Sequence, residues 1–184
     1  MDNIKESFVV TSNVDGHFQK AGFNEKKVYE IHGSIHHMQC NNCYSIVKAD
    51  DYEVAYDPES FEAKEPLPAC KSCKSLVRPN ILMFGDWEFD GTRSDQQGSL
   101  YHDFVNRLTS KDRMVILEFG AGHAVPTIRS IGEQLLRNKK CETFLVRVNL
   151  RDFDPPYSKT NIDHFLAFPE KALSFMEELM KYLK

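Results

Sequence analysis

The 184-residue sequence predicts an α/β fold: an open parallel sheet with helices, interrupted by a small inserted four-cysteine module. Three observations carry that prediction. The runs "RMVILEFG" and "TFLVRVNL" flank the helix-spaced segment "VPTIRSIGEQLLRN". Strand, helix and strand within about 35 residues make a βαβ unit, with parallel pairing and a right-handed crossover. A further β-branched run, "SFVVTS", lies near the start and ends in the polar turn "SNVDG". Between these stretches, from Met38 to Asn80, two closely spaced cysteine pairs sit among Pro58, Pro66, Pro68 and Pro79 with no sustained periodicity.

Each element has a local reason. Pro126 suits a first helical turn, and Ile128, Ile131 and Leu135 keep helical spacing. "SDQQGSLYHDFVNRL" reads as a helix that tolerates Gly98. In "PEKALSFMEELMKYLK" the residues Leu173, Met176, Leu179, Met180 and Leu183 share one face, as in a helix that covers a sheet. The expected organisation is residues 1–37 as the first part of the α/β domain, 38–80 as the inserted module and 81–184 as the remainder of that domain.

Composition narrows the function. The net charge of -4 comes from interspersed charges, which gives no electrostatic footprint for nucleic acid or an anionic membrane. No apolar run approaches the ~18 residues a membrane span needs, and "MDNIKESFVV" lacks the pattern of a signal peptide, so a cytoplasmic protein is expected. In a reducing compartment, clustered thiols point to metal binding or catalysis rather than disulfides. Cys40 and Cys43 form one C-x2-C pair; Cys70 and Cys73, after 26 intervening residues, form another. Each tight turn can aim two sulfurs inward, and two such turns close a tetrahedron around Zn(II). Four thiolates leave no open position, so that zinc would be structural. His36 and His37 read as surface groups or neighbours of the metal ligands, and Cys141 as a small buried apolar residue.

His32 stands apart, in "EIHG", where Gly33 would allow a close backbone approach. By itself, a histidine before a glycine reads as a satisfied structural residue. In an open parallel sheet, ligands bind beyond the carboxyl ends of the strands. Asn13 and Asp15, Gly120 and Gly122, and Asn149 fall at three such ends, and together they favour a nucleotide-sized ligand. "GAGHAVP" lacks the third glycine of the dinucleotide fingerprint, so it names no cofactor alone.

Taken together, the motifs resemble the sirtuin family of NAD-dependent protein deacylases. "TSNVDGHFQKAG" is similar to the family's TQNxDGLHxxAG, with Ser12 in place of glutamine and Asn13, Asp15, Gly16, Ala21 and Gly22 in register. "EIHG" matches the ExHG block that carries the catalytic histidine, which falls on His32. The four cysteines follow at zinc-ribbon positions. "VRPNILMFGD" is similar to LRPxVVxFGE, with Asp86 replacing a glutamate; "FGAGHAVP" stands where the family has GTSLxVxP, and "VNL" where it has a ribose-contacting asparagine. The family's amino-terminal Gly-rich NAD-binding segment, a GAGxS loop followed by GIPxFR, has no counterpart in these residues.

The resemblance implies a partial Rossmann-like parallel sheet plus a zinc ribbon, with NAD and zinc as cofactors. It implies transfer of the acyl group from a lysine of a protein or peptide to ADP-ribose, with release of nicotinamide. His32 is then the general base; Asn13 orients the ribose and attacking water; Asp15 and Val14 hold the displaced carboxamide. Ser12, Gly120, Ala121, Gly122 and Asn149 complete the expected NAD contacts, and Ile81, Leu82, Phe84, Gly85 and Asp86 the acyl-peptide groove. Two alternatives stay open: an NAD-consuming ADP-ribosyltransferase or NAD hydrolase on the same scaffold, and a non-catalytic zinc-bearing module that only binds peptide.

Overall fold

A computed structural model describes residues 4–138, 140–158 and 161–183. The chain divides into two compact units, one of Phe8–Asp103 and one of Met1–Ser7 with Phe104–Lys184.

In the first unit, β1 (Val9–Thr11) pairs in parallel with β2 (Val28–Glu30), Thr11 lying opposite Glu30. Between them runs the short helix α1 (His17–Lys20). β3 (Gly33–Cys40) is the centre of an antiparallel sheet, flanked by β4 (Ile46–Lys48) and β5 (Val77–Ile81). The register matches Gly33 with Ile81 at one end and Cys40 with Val77 at the other, with a bulge between Ser34 and Met38. Met38, Cys40, Cys70 and Val77 form a small buried core, with Val47, Ala49 and Tyr52 packed on it. Helix α2 (Thr92–Arg107) sets its first turns against β2: Arg93 pairs with the buried carboxylate of Glu30, and Gln97 Oε1 accepts the Glu30 N–H at 3.1 Å. The absent side chain of Gly98 lets the Tyr29 ring lie against the helix.

The second unit holds the expected βαβ arrangement. β6 (Arg113–Phe119) and β7 (Glu142–Val148) pair in parallel over their whole length, with helix α3 (Thr127–Arg137) between them in sequence. Pro126 caps that helix. A third parallel strand, β8 (Phe165–Phe168), joins β7; four residues with no alternation gave it no sequence signal. Helix α4 (Ala172–Tyr182) forms where expected, with Lys184 outside the described residues. Its contact with the sheet is narrower than the apolar stripe suggests: Phe175 meets Phe119 and Phe168, whereas Leu173 and Met180 are exposed. Val115, Leu117 and Leu166 also remain open to solvent. Among the described residues, no helix is long and apolar enough to cross a membrane.

Under α3 lies an ionic network in place of a purely apolar core. Arg147, 0% exposed, pairs with Glu118 on β6 and donates to Glu133 Oε1 at 3.1 Å. Arg129 reaches Glu133 at 3.4 Å and Asp154 at 2.7 Å, and both arginines donate to main-chain oxygens of residues 152–154. Burial pushes the Glu118 carboxyl up against the downward pull of Arg147. Removing one member of such a set strands the others without solvent. Arg147→Ala is therefore expected to cost about 3–5 kcal/mol in urea unfolding. Breaking the exposed Arg113–Glu142 pair should cost no more than about 1 kcal/mol.

Candidate functional site

The four cysteines converge. Cys40 Sγ lies 3.5 Å from Cys73 Sγ, Cys43 Sγ lies 3.6 Å from Cys70 Sγ, and all four sulfurs fall within 4.8 Å of one another. The two turns are copies of one design, "CNNCYS" and "CKSCKS". In each, the first cysteine N–H donates to the serine carbonyl, and its own carbonyl accepts the N–H of the fifth residue, Tyr44 or Lys74. Both fifth residues take the left-handed conformation. That shared C-x2-C-x-S spacing is a signal in the sequence beyond the cysteine pairs themselves.

The donor set fits zinc. Zn–S bonds of ~2.3 Å in a tetrahedron put sulfurs ~3.8 Å apart, close to the spacing present here. The surroundings favour the thiolate at two of the four: Asn42 and the Ser75 N–H hold the Cys73 thiol down at about 5, and main-chain N–H groups of Cys73 and Ser72 lower Cys70, whereas the Cys40 thiol is raised. Neither His36 nor His37 joins the sulfur cluster. His36 Nε2 instead bonds the Asp15 carbonyl oxygen at 3.1 Å, and both rings line a groove of about 500 Å³ with Lys48 and Arg93.

His32 sits in the turn between β2 and β3, at the other end of β3 from Cys40. Three main-chain bonds fix that turn. Ile31 N–H donates to Thr11 O at 3.0 Å, Ile35 N–H to Val14 O at 2.9 Å, and Leu82 N–H to His32 O at 3.0 Å. The Ser12–Asp15 loop therefore runs along one side of the turn and the start of the Leu82–Trp87 loop along another. Gly33 has φ of +79°, and a Cβ there would stand 2.0 Å from the Asn80 carbonyl oxygen, so only glycine permits this approach. The His32 ring is half-buried, and its Nδ1 is enclosed without a hydrogen-bond partner among the described residues.

The remaining expected residues of this unit fall around that turn. Asn13 N–H is tied to Thr11 Oγ1 at 3.1 Å, which keeps the Ser12–Asn13 backbone close to the end of β1. The Asp15 carboxylate accepts the His17 N–H at 3.0 Å and so starts α1. Ile81 ends β5, and Leu82, Phe84 and Gly85 follow on an exposed loop. Asp86 turns inward: Arg78 grips its carboxylate through both terminal nitrogens, and the N–H groups of Met83 and Glu88 approach it at 3.4 and 3.1 Å. Asp86 thus shapes the loop.

In the second unit, Gly120, Ala121, Gly122 and Asn149 gather at the carboxyl ends of β6 and β7, where Phe119 pairs with Val148. Gly120 N–H donates to Val148 O at 3.1 Å and Asn149 N–H to Phe168 O at 3.1 Å. The loop after Gly120 is pinned to residues 152–154, with His123 Nε2 2.9 Å from Asp154 Oδ1 and the His123 N–H donating to Asp152 at 3.2 Å. Sequence reasoning missed these pins, as it missed the Glu30–Arg93 and Arg78–Asp86 pairs. Each joins residues on separate elements, and no spacing rule links them.

Fold and sulfur cluster together describe an α/β protein with four cysteines placed to hold a metal ion. The Sir2 family model matches residues 1–94, and the chain belongs to that family. It is 38% identical over 78 residues to an NAD-dependent protein deacetylase of Thermotoga maritima, covering 42% of this chain and 28% of that protein. With an NAD-dependent protein deacetylase of Listeria monocytogenes it shares 26% identity over 166 residues, 90% of this chain and 61% of the relative. A solved Sir2 homolog–NAD complex superposes with a TM-score of 0.65 at 23% identity, covering 96% of this chain and 57% of that one. A Sir2–p53 peptide–NAD structure gives 0.63 at 22%, covering 96% and 62%. The chain thus spans less than two thirds of the length of each of these proteins.

Two outcomes follow from the site. The purified protein should carry one zinc per chain by elemental analysis, and a strong chelator should remove it with loss of several kcal/mol of stability, because metal binding contributes directly to folding of such modules. The Arg78 grip holds the Asp86 carboxyl down to about 2. A depressed carboxyl stabilises in full above its unfolded pKa of ~3.9 and loses that contribution as pH falls through the folded value. Exchange protection of the Met83 and Glu88 amides, followed by NMR, should hold at pH 5 and fail toward pH 2. In Asp86→Asn the loop should be less protected than the wild type at pH 5, with the difference closing toward pH 2.

Proposed function

We propose that this chain carries the peptide-binding and general-base machinery of an NAD-dependent protein-lysine deacylase. The half-buried His32 ring carries that reading, held by main-chain bonds between the Ser12–Asp15 loop and Leu82, with an unpartnered Nδ1. The half-buried ring stands at the matching position of the ExHG block, and its Nδ1 makes no hydrogen bond among the described residues, which supports a proton-transfer role. The names of the relatives, NAD-dependent protein deacetylases and deacylases, support the same class.

The residues divide the work as follows. NAD, when bound, would supply the ribose carbon that gives up nicotinamide to the acyl oxygen and the ribose hydroxyl that then takes the acyl carbon, with water completing release of the lysine amine. His32 takes the proton of a ribose hydroxyl, within the reach a general base requires. Asn13 orients the ribose and the attacking water, and Val14 and Asp15 hold the carboxamide. In the second unit, Gly120, Ala121, Gly122 and Asn149 are read as the residues for the adenosine side. The acyl-lysine peptide adds as an extended strand along Ile81–Gly85, through main-chain bonds that are indifferent to its sequence. Cys40, Cys43, Cys70 and Cys73 would hold zinc, and four thiolate ligands would leave that ion a structural role beside β3 and β5.

Incubation with NAD, with and without an acetyl-lysine peptide, tests this reading. Nicotinamide release that needs the acetylated peptide supports it. Release without peptide would assign an NAD hydrolase or ADP-ribosyltransferase, and no release would leave a peptide-binding module. His32→Ala is expected to lower turnover by at least ~100-fold, the scale of a general base, with zinc content and melting temperature unchanged. Undiminished turnover in that variant would remove His32 from the chemistry.

A further inference from the structure

The loop that follows β5 is fixed in backbone and open in side chain. Its conformation is locked by the Arg78–Asp86 pair and the amides that Asp86 accepts. Yet Met83 is 60% exposed, Phe84 92% and Trp87 97%. Three large apolar side chains exposed within five positions of a loop held in place are the kind of feature that marks an interaction surface. Rigid aromatics also bind with little entropic cost.

Charge narrows what the patch can meet. The unit that bears it, Phe8–Asp103, holds nine Lys and Arg against fifteen Asp and Glu, a net -6; the rest of the chain holds fourteen against twelve, a net +2. Asp86 is neutralised by Arg78, but the neighbouring Glu88 is exposed, its carboxylate steadied by Asn41 Nδ2 at 2.9 Å. An exposed indole followed in the chain by an exposed carboxylate offers an attraction for a cation and the aliphatic stem that carries it. The negative field of the unit repels anionic peptides and anionic lipid alike.

We propose that Trp87 and Glu88, with Phe84, read an arginine or lysine side chain that flanks the acyl-lysine, so that the preferred substrates are cationic peptides. The inference rests on the acyl-peptide reading of Ile81–Gly85. It adds the specificity that a main-chain strand contact lacks.

Trp87 is the sole tryptophan, so its fluorescence reports on this surface directly. Zinc-loaded protein is titrated with acetyl-lysine peptides that differ only in flanking Arg, Ala or Glu, and with the unacetylated Arg peptide, at low and at high salt. The Arg-flanked acetylated peptide is expected to shift the emission to the blue and to bind roughly three- to tenfold more tightly than its Ala counterpart. That preference should shrink at ~1 M salt. By anisotropy of a labelled peptide, Trp87→Ala should lose the preference and Trp87→Phe should keep most of it. Equal affinity for the Arg-, Ala- and Glu-flanked acetylated peptides would overturn the inference and leave the acyl-peptide reading standing. A preference that survives in Trp87→Ala would also overturn it. Binding that ignores acetylation, or no binding of any peptide, would sink the underlying reading and the inference with it. A blue shift that grows with protein concentration in the absence of peptide would show that the loop pairs with a second copy, and would overturn the proposal as well.

Discussion

The approach of Gly33 to Asn80 is the constraint on which the first unit depends. A Cβ at Gly33 would lie 2.0 Å from a main-chain carbonyl oxygen, and neither strand can retreat without breaking the ladder that pairs Gly33 with Ile81 and Cys40 with Val77. β3 therefore ties two pieces of chemistry together. One end delivers Cys40 to the sulfur cluster, and the other ends in the turn that presents His32. Non-glycine residues forced into that conformation cost of order 1–3 kcal/mol even before the collision is counted.

The same strand pair links the cysteine turns to the His32 turn. The cysteine turns close on either side of β3 and β5: Cys43 follows β3 and Cys73 precedes β5. With only a small apolar core of Met38, Cys40, Cys70 and Val77, these residues bury little area. Metal ligation by the four cysteines would add stability that apolar burial at ~25 cal/mol per Å² supplies only sparingly here. Leu82, the first residue after β5, then meets the His32 carbonyl because the register upstream is held.

Polar pairs do comparable work elsewhere. Glu30 and Arg93 join β2 to α2, Arg78 and Asp86 lock the exposed loop, and the Arg147–Glu118–Glu133–Arg129–Asp154 set fastens α3 and the loop beyond β7. An ion pair is a weak source of net stability, yet a wrong geometry that strands a buried charge is costly, so such pairs penalise misplacement of the segments they join. Each of these pairs lies beside a segment expected to meet ligand, where the position of a backbone matters more than total stability.

Local rules in the sequence determined the elements whose causes are local. The β-branched runs became β1, β6 and β7, the spacing around Ile128 and Leu135 became α3, and the paired cysteines formed one sulfur cluster, because hydrophobic period and C-x2-C turns act within a few residues. β8, only four residues long, and the narrow seat of α4 on Phe119 and Phe168 came from packing against neighbours distant in sequence. The histidine of "EIHG" was visible as a candidate, but its freedom was not. Only the tertiary structure decided that Asp86 would be consumed by Arg78, that His36 would bond the Asp15 carbonyl, and that the His32 Nδ1 would be left without a partner. The physical reason is that hydrogen-bond satisfaction depends on which chain segments meet in space, and that is settled by the register of β3 against β5 rather than by any pattern along the chain.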